Sequence, residues 1–341
     1  MEMLKLKDVR RIDFDAPHNA FTDLVRWKDD WYLTFRAATS HTSGDGKVVL
    51  MRSPNLETWA EVKVFSTDAD DRDPKLLATP ERLIVNYVSV QGNATLLLMH
   101  HSSDGRTWIG PQRFWADNHV CWRAHLGPDG FYYRDIHTRF GPYQPGEAPF
   151  KDHRVMLCRS KDGLEWEKVS DIWSGSGTET DIAFRDDGEC VALIKHGNGK
   201  PKPHDKALLA FSRPPYKHWE HVDAGMQGHG PALLNLNGTI YAAARKYRWA
   251  PDGERLPSVT ALYVLDGRLL HEFLTVPSGG DCSYAAMVDA GNGEVTMSYY
   301  STHEGRTSIY IARFDRLEMP GGHAFLSDWV SPPTAGKALQ D

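Results

Sequence analysis

A short apolar segment followed by a serine, a turn and a tryptophan occurs four times in this chain. From each serine to its tryptophan, the four copies span residues 53–59, 102–108, 160–166 and 212–219. The serines recur about every 50 residues, and a supersecondary unit with such a period is typical of a β-propeller blade. Because a propeller gathers one loop from every blade at one end of its axis, we expect functional residues to recur at the same position in each blade.

Composition and charge limit the kinds of partner. The chain has 341 residues, and its 39 lysines and arginines against 45 acidic residues give a net charge of −6. This mild negative charge gives no reason to expect nucleic acid or an anionic membrane as a partner. No linker divides the sequence, so we predict one β-propeller domain over residues 1–315 and an irregular C-terminal tail over residues 316–341. The sequence does not indicate the oligomeric state.

The cysteines and the N-terminus give expectations about ligands and location. Cys121, Cys158, Cys190 and Cys282 are scattered without a CxxC pair, which argues against a zinc site or a disulfide framework. We therefore expect no cofactor and no metal. The first residues, MEMLKLKDVRRIDF, contain no apolar stretch for a signal peptide, and no segment is apolar enough to span a membrane. These features predict a cytoplasmic protein, although a secreted or periplasmic protein without its leader would look the same.

Strand patterns between turn signals predict the architecture. Short β-branched and aromatic runs such as WYLTFR and IYAAARKY alternate with turn signals such as DDG, NLNG and GNG, and helical periodicity is nowhere sustained. The runs group into six blades of four strands, so we predict an all-β fold, a six-bladed β-propeller; five or seven blades also fit the spacing. The sixth blade has no obvious fourth strand, and we expect the N-terminal strand to supply it and close that blade.

The serine-to-tryptophan turns resemble a motif of a known superfamily. The pattern S-x-D-G-x-x-W at 102–108 and 160–166, with degenerate copies at 53–59 and 212–219, is similar to the Asp-boxes (BNR repeats) of the sialidase (neuraminidase) superfamily of glycoside hydrolases. In each turn the Asp side chain can accept backbone N–H groups and the glycine supplies a positive φ. The turns themselves are therefore expected to be structural, and the activity must be sought elsewhere.

One segment resembles the part of a sialidase that carries the nucleophile. The run GDCSY, which ends at Tyr284, is similar to that segment, and Glu179 begins the inner strand two blades earlier, where the family places its glutamate partner. A phenol with a pKa of about 10 needs an adjacent carboxylate to take its proton. The resemblance thus implies Tyr284 as nucleophile and Glu179 as base. In the alternative, Tyr284 only stacks on a ligand and Glu179 holds an arginine.

The resemblance also implies a general acid on the loop after the second strand of blade one. His41 and Asp45 both lie on that loop. Asp45 keeps the residue type of the family but sits in an Asp-Gly turn, where structural roles are common. The pKa of a histidine suits proton transfer near neutral pH. The spacing does not choose between them.

The arginine triad that holds the carboxylate of sialic acid in the family is incomplete here. The first position holds Thr22 and Asp23, the second holds Lys195, and the third corresponds to Arg245. A lysine cannot grip a carboxylate through two parallel hydrogen bonds as a guanidinium does. The substrate is therefore expected to differ from sialic acid.

Polar residues at the starts of inner strands and the ends of second strands complete the candidate site. Three further arginines can either form a new anion site or pair with the acids around the axis, and His229 begins another inner strand. The candidate substrate-binding residues are Arg36, Asp23, Arg72, Asp73, Arg123, His229, Arg245 and Lys195.

Together these features predict a sialidase-like glycoside hydrolase that acts on a terminal sugar. It would be exo-acting, and it would retain the anomeric configuration if Tyr284 is the nucleophile. Two alternatives use the same axial pocket: a non-catalytic propeller that binds a glycan, and a lyase or inverting hydrolase. A hydrogen bond between Tyr284 Oη and Glu179 favours the first interpretation, whereas separation by the width of a blade removes it.

Overall fold

The chain folds as a ring of six antiparallel sheets. The computed structural model describes residues 2–139, 153–197, 202 and 205–318. Within these residues, 24 strands pair into six four-stranded sheets. This confirms the all-β, six-bladed β-propeller predicted from the repeat. The described residues contain no helix long and apolar enough to cross a membrane.

Strand bounds follow the blades, with the N-terminal strand β1 (Glu2–Ile12) belonging to blade six. Blade one contains β2 (His18–Trp27), β3 (Asp30–Ala38), β4 (Lys47–Ser53) and β5 (Ala60–Phe65). Blade two contains β6 (Asp70–Ala78), β7 (Leu83–Gln91), β8 (Ala94–Ser102) and β9 (Ile109–Arg113). Blade three contains β10 (His119–Leu126), β11 (Tyr132–Thr138), β12 (Arg154–Ser160) and β13 (Glu167–Ser174). Blade four contains β14 (Gly177–Phe184), β15 (Cys190–His196), β16 (Leu208–Ser212) and β17 (Glu220–Asp223). Blade five contains β18 (His229–Leu236), β19 (Thr239–Trp249), β20 (Arg255–Asp266) and β21 (Leu269–Thr275), and blade six adds β22 (Cys282–Asp289), β23 (Glu294–Ser301) and β24 (Ser308–Glu318).

The first strands of the blades surround the axis. In blades one to five the strands pair in chain order, and in blade six the order is β22, β23, β24 and β1. The innermost strands of neighbouring blades contact one another around the whole ring, from β2 through β6, β10, β14 and β18 to β22 and back to β2. Residues at the start of these strands therefore lie around one opening.

The ring is closed by the N-terminal strand. β1 pairs antiparallel with β24, from Glu2 opposite Glu318 to Ile12 opposite Ile309. Ion pairs support this closure: Arg316 Nε donates to Glu2 Oε2 at 2.7 Å, and Arg313 donates to both oxygens of Asp8. The predicted tail begins within β24, and residues 319–341 lie outside the described part of the chain.

The core lies between neighbouring sheets, because a blade packs both of its faces. Between blades one and two, for example, Val48 and Leu50 pack against Leu76, Val85 and other buried side chains. The central strands consequently read as nearly continuous apolar runs, as in β8 and β20. This sandwiching holds each blade in place relative to the axis.

The serine-to-tryptophan turns join the third and fourth strands of blades one to four, far from the axis. In the second turn, Asp104 Oδ1 accepts hydrogen bonds from the backbone N–H groups of Arg106 and Thr107 at 2.8 Å each. Ser102 Oγ accepts the N–H of Gly105 at 2.9 Å, and Gly105 has the positive φ of 73° that a glycine adopts readily. These contacts support the structural role predicted for the turns.

Candidate active site

Every innermost strand carries a β-bulge at the same level. In each blade two residues of the first strand lie opposite one residue of the second, and the register shifts across them. A bulge re-aims the side chains that it carries, and bulges are common next to active sites. The six bulges therefore direct one set of side chains at the axial opening. The bulged pairs are residues 21–22, 73–74, 122–123, 178–179, 230–231 and 284–285.

Several bulge residues have a left-handed backbone. The φ angles are 61° at Phe21, 51° at Asp73, 57° at Gly230 and 48° at Tyr284. A non-glycine residue in this region costs about 1–3 kcal/mol and persists only where the surrounding structure fixes it. At Tyr284 the fixing contacts include the Thr22 hydroxyl, which donates to the Tyr284 carbonyl oxygen at 2.9 Å.

The bulges surround a pocket of about 240 Å³ at the axis. Its floor and walls combine charged groups with apolar side chains from blades two and three. Bulge residues Asp73, Trp122, Glu179 and Tyr284 all line it, although they come from four different blades. The other lining residues are Arg72, Val88, Val90, Val120, His137, Arg139, Thr178 and Lys195.

Tyr284 and Glu179 meet in this pocket. The Tyr284 hydroxyl donates a hydrogen bond to Glu179 Oε1 at 2.5 Å, across a sequence separation of 105 residues. Lys195 Nζ donates to the same oxygen at 2.8 Å, and the N–H of Gly230 donates to Glu179 Oε2 at 2.8 Å. The carboxylate is thus held by three donors, one of which is the phenol.

Electrostatics keep this pair as a neutral phenol and a carboxylate. Burial and the charge of Glu179 raise the pKa of Tyr284 well above its ordinary value. Burial by itself raises the pKa of Glu179, but the charge of Lys195 and the hydrogen bonds from Lys195 and Tyr284 outweigh it and lower that pKa. The tyrosine therefore carries the proton, and the carboxylate is positioned to receive it.

A second cluster surrounds Asp281, just before β22. His41 Nδ1 lies 2.7 Å and His18 Nε2 lies 3.0 Å from Asp281 Oδ2. The other oxygen accepts hydrogen bonds from Tyr300 Oη at 2.8 Å and from Arg245 Nη2 at 3.2 Å. Asp281 therefore holds His41 in a fixed orientation, and it also occupies Arg245.

The Asp281 cluster is also where a metal ion could bind. Among the described residues, one nitrogen each of His18 and His41 and one oxygen of Asp281 lie within 4.8 Å of one another. Two imidazoles and a carboxylate are suitable ligands for zinc or iron. The four hydrogen bonds already satisfy the Asp281 carboxylate, so the arrangement is complete as a hydrogen-bonded network.

Asp45 lies in the loop that carries His41, and its carboxylate binds residues of that same loop. Both of its oxygens accept the backbone N–H of Thr39 at 3.2 Å, and Asp45 Oδ2 accepts the Thr39 hydroxyl at 2.5 Å. Hydrogen bonds from Ser43 and Thr39 lower the pKa of Asp45 to about 2. A carboxylate with so low a pKa is ionised at neutral pH and has no proton to donate.

Three of the sequence-predicted binding residues are buried and bound to the protein itself. Arg36 donates to Asp70 Oδ1 at 2.8 Å and to the carbonyl oxygens of Ser40 and Ser43. Arg123 donates to Asp23 Oδ1 at 2.7 Å, and Asp23 Oδ2 accepts the N–H of Leu76 in the next blade. None of the three lines the axial pocket, and their contacts join blades and loops.

The other candidates are placed at or beside the pocket. Arg72 and Asp73 line it and pair with each other at 3.3 Å. Lys195 lines it and binds Glu179, whereas Arg245 lies behind it with its guanidinium 5.6 Å from the centroid of the Tyr284 ring. His229 is buried beside the Tyr247 hydroxyl, and burial and the charge of Lys195 lower its pKa to about 3, so it is neutral.

Two basic residues of the pocket, His137 and Arg139, were not predicted from the sequence. His137 Nδ1 lies 2.6 Å from Asp135 Oδ2, and both side chains are buried. The run Asp135-x-His137-x-Arg139 was the available signal, because alternate residues of a strand share a face. This spacing points to the site only because the tertiary structure places β11 beside the axial opening.

Comparison with known proteins shows the same architecture. No family model matches the chain, and no curated protein matches it. The chain is similar to a protein of unknown function from Dyadobacter fermentans, with 18% identity and a TM-score of 0.75, covering 92% of this chain and 99% of that one. It is also similar to a sialidase from Trypanosoma rangeli, with 10% identity and a TM-score of 0.66.

This chain covers 58% of that sialidase, and the similarity spans 91% of this chain. An α-L-arabinofuranosidase from Fusarium graminearum is similar as well, with 12% identity and a TM-score of 0.67, covering 92% of this chain and 98% of that enzyme. At these identities the likeness is one of fold. The chain thus shares its propeller with two kinds of glycoside hydrolase.

Proposed function

We propose that this protein is a glycoside hydrolase that acts on a terminal sugar held in the axial pocket. The observation that carries the proposal is the hydrogen bond of 2.5 Å from Tyr284 Oη to Glu179 Oε1 inside that pocket. A buried phenol on a strained bulge, paired with a carboxylate from two blades away, has the geometry of an activated nucleophile. The shared fold with a sialidase and an arabinofuranosidase agrees with this chemistry.

The proposed reaction has two steps that retain the anomeric configuration. Tyr284 Oη attacks the anomeric carbon and passes its proton to Glu179 Oε1, while the bond to the leaving oxygen breaks and that oxygen takes a proton from a general acid. Water then attacks the anomeric carbon and gives a proton to the general acid, which now acts as the base. The bond from the anomeric carbon to Tyr284 Oη breaks, and Glu179 returns the first proton to Tyr284 Oη. Positive charge developing on the sugar ring favours loss of the phenol proton, which offsets the raised pKa of Tyr284.

His41 is the better candidate for the general acid than Asp45. Asp281 holds the His41 ring at 2.7 Å, and that ring packs 5.1 Å from Phe21, whose own ring lies 4.9 Å from Tyr284. Asp45 instead binds Thr39 and has a pKa of about 2. A carboxylate that binds one ring nitrogen of an imidazole orients the ring for proton transfer at the other nitrogen.

The proposed substrate is a terminal sugar other than sialic acid. Arg245, the remaining member of the arginine triad, binds Asp281, and Lys195 binds Glu179. The position of the first arginine holds Thr22 and Asp23, and Asp23 pairs with Arg123. The groups that would grip a carboxylate at this end of the pocket are thus already paired within the protein.

A screen of the purified protein against aryl glycosides tests the proposal, with Tyr284→Phe as the decisive variant. We expect hydrolysis of at least one glycoside with retention of configuration, and a loss of about 10³-fold or more in kcat for Tyr284→Phe. Tyr299→Phe is the matched control, because the Tyr299 hydroxyl donates to the Pro277 carbonyl oxygen in the segment between β21 and β22 and lines no part of the pocket.

Other outcomes point to the alternatives. Retained hydrolysis by Tyr284→Phe contradicts the nucleophile, and an inverted or unsaturated product indicates an inverting hydrolase or a lyase. Sugar binding without any hydrolysis by the unaltered protein across the panel indicates a glycan-binding propeller.

A further inference from the structure

We propose that the axial pocket has an anion subsite made by Arg72 and Arg139, which binds a negatively charged group of the substrate. The group is a carboxylate, a sulfate ester or a phosphate ester on a glycan whose terminal sugar occupies the pocket. This inference rests on the proposed function for the identity of the ligand as a glycan. The subsite lies on the side of blades two and three, across the axis from Asp281 and Arg245.

Arg139 brings a positive charge to the pocket. It follows β11 directly and lines the pocket, and its Nη1 donates to the Thr95 hydroxyl. In the described part of the chain it forms no ion pair. Burial and repulsion by the nearby charge of Arg72 lower the pKa of Arg139, and the charges of Asp73 and Asp70 offset this only in part. An oxyanion between them removes that repulsion.

The neighbouring acids are already used. Asp70 binds both Arg36 and Arg72, at 2.8 and 3.2 Å, and Asp73 binds Arg72 at 3.3 Å. Asp70 and Asp73 are therefore paired with Arg36 and Arg72, and neither forms an ion pair with Arg139. Deeper in the pocket, Lys195 and Glu179 compensate each other. Among the described residues of this wall, the positive charge left without an ion pair lies at Arg139.

Arg72 and Arg139 stand where two cavities meet. Together with Val90 they line both the axial pocket and an outer groove beneath the loops at residues 42–44 and 67–70. A sugar seated against Tyr284 can therefore extend past the two arginines into the groove. The exposed Asp68 at the outer rim of that groove repels an anion there, so the favourable place is the junction.

The chemistry of the wall fits an oxyanion. Guanidinium groups bind carboxylate, sulfate and phosphate through paired, charge-assisted hydrogen bonds. Val88, Val90 and Val120 form the apolar side of the same wall. Such a surface excludes water and strengthens the electrostatic attraction, and it also packs against the C–H face of a sugar.

The test measures binding, so that it does not depend on hydrolysis. Inorganic sulfate, D-glucuronate, D-glucose and D-glucose 6-phosphate are titrated by calorimetry into the full-length protein at constant ionic strength. We expect at least one anionic probe to bind about tenfold or more tightly than glucose, and Arg139→Gln to remove that difference. Comparison of the anionic probes distinguishes a carboxylate site from a sulfate or phosphate site.

Arg113→Gln is the matched control, because Arg113 is an exposed arginine on β9 that pairs with Asp117. Arg139→Lys keeps the positive charge but cannot form two parallel hydrogen bonds to an oxyanion, so it should retain part of the preference for anionic probes over glucose. Equal binding of glucose and every anion, or an unchanged preference in folded Arg139→Gln, overturns the subsite. Anion binding by a protein that hydrolyses no glycoside contradicts the proposed function and leaves the subsite standing.

Discussion

At the scale of single residues, Asp281 occupies groups that the proposed site could otherwise offer to a substrate carboxylate. Its carboxylate accepts hydrogen bonds from Tyr300 and Arg245 on one oxygen and lies beside two histidines on the other. A substrate carboxylate at Arg245 would have to displace it. One internal side chain thus replaces the anion that the arginine triad would bind, and it orients His41 at the same time.

If Glu179 is the base of the proposed reaction, Lys195 sets the pH range over which it can act. Its charge and hydrogen bond lower the pKa of Glu179, and Glu179 must be ionised to take the proton of Tyr284. Because its pKa is lowered, Glu179 stays ionised at pH values where an ordinary carboxyl group is protonated. The activity is therefore expected to persist at those pH values. Lys195→Gln should raise this pKa and move the acid limb of kcat/KM upward by about 1–2 pH units.

The measurement for Lys195→Gln is a pH–rate profile on the best aryl glycoside, together with the ¹³C shift of the Glu179 carboxyl group. Lys195→Arg should keep the low-pH activity, and Lys246→Gln is a surface control because Lys246 pairs with Glu272 on blade five. An acid limb and a ¹³C titration that do not move in Lys195→Gln exclude this role for Lys195.

At the scale of strands and turns, local patterns made the fold predictable from the sequence, whereas the bulges hid most of the site. Alternating apolar runs and the Asp-Gly turns predict blades, because strand period and turn chemistry are local properties. A bulge changes register through tertiary pairing and leaves no fixed residue signature. The resemblance supplied the pair Tyr284 and Glu179, but the partners of Asp23, Arg36 and Arg123 depend on which loops and blades lie beside them.

Gly230 shows how closely two bulges approach each other. A Cβ at Gly230 would lie 2.7 Å from the Tyr284 ring, and the φ of Gly230 is 57°. Gly230→Ala should therefore both strain the backbone and displace Tyr284 from Glu179. We expect a loss of more than about 2 kcal/mol in the free energy of unfolding and a fall of about 10²-fold in kcat.

Gly253→Ala separates these two effects. Gly253 has a φ of 85°, and nothing lies within 4 Å of an added Cβ. In this variant the free energy of unfolding should fall by about 1–2 kcal/mol from backbone strain alone, and the activity should be kept. Urea unfolding and kcat measured on both variants test the argument. If Gly230→Ala is as active as Gly253→Ala, the close approach does not position the nucleophile.

At the scale of the whole molecule, the closure between the first and last strands should support all six blades. β1 comes from the N-terminus, whereas the rest of blade six comes from the C-terminal part, so only non-covalent contacts close the ring. Leu4 on β1 is buried in the cluster between blades five and six, while its neighbour Lys5 is exposed. A defect at Leu4 should weaken the closure without touching the pocket.

Leu4→Ala should lower the free energy of unfolding by about 2–5 kcal/mol, because it removes buried methyl groups and leaves a cavity, whereas Lys5→Ala should change it by less than about 0.5 kcal/mol. Ten of the eleven tryptophans lie among the described residues and outside blade six, so tryptophan fluorescence reports mainly the other blades. If the ring unfolds as one unit, fluorescence and the proposed glycosidase activity are lost together within each variant. The urea midpoint is then lower in Leu4→Ala and unchanged in Lys5→Ala. Loss of activity before the fluorescence change would mean that blade six opens by itself and that closure stabilises the pocket locally rather than the whole ring.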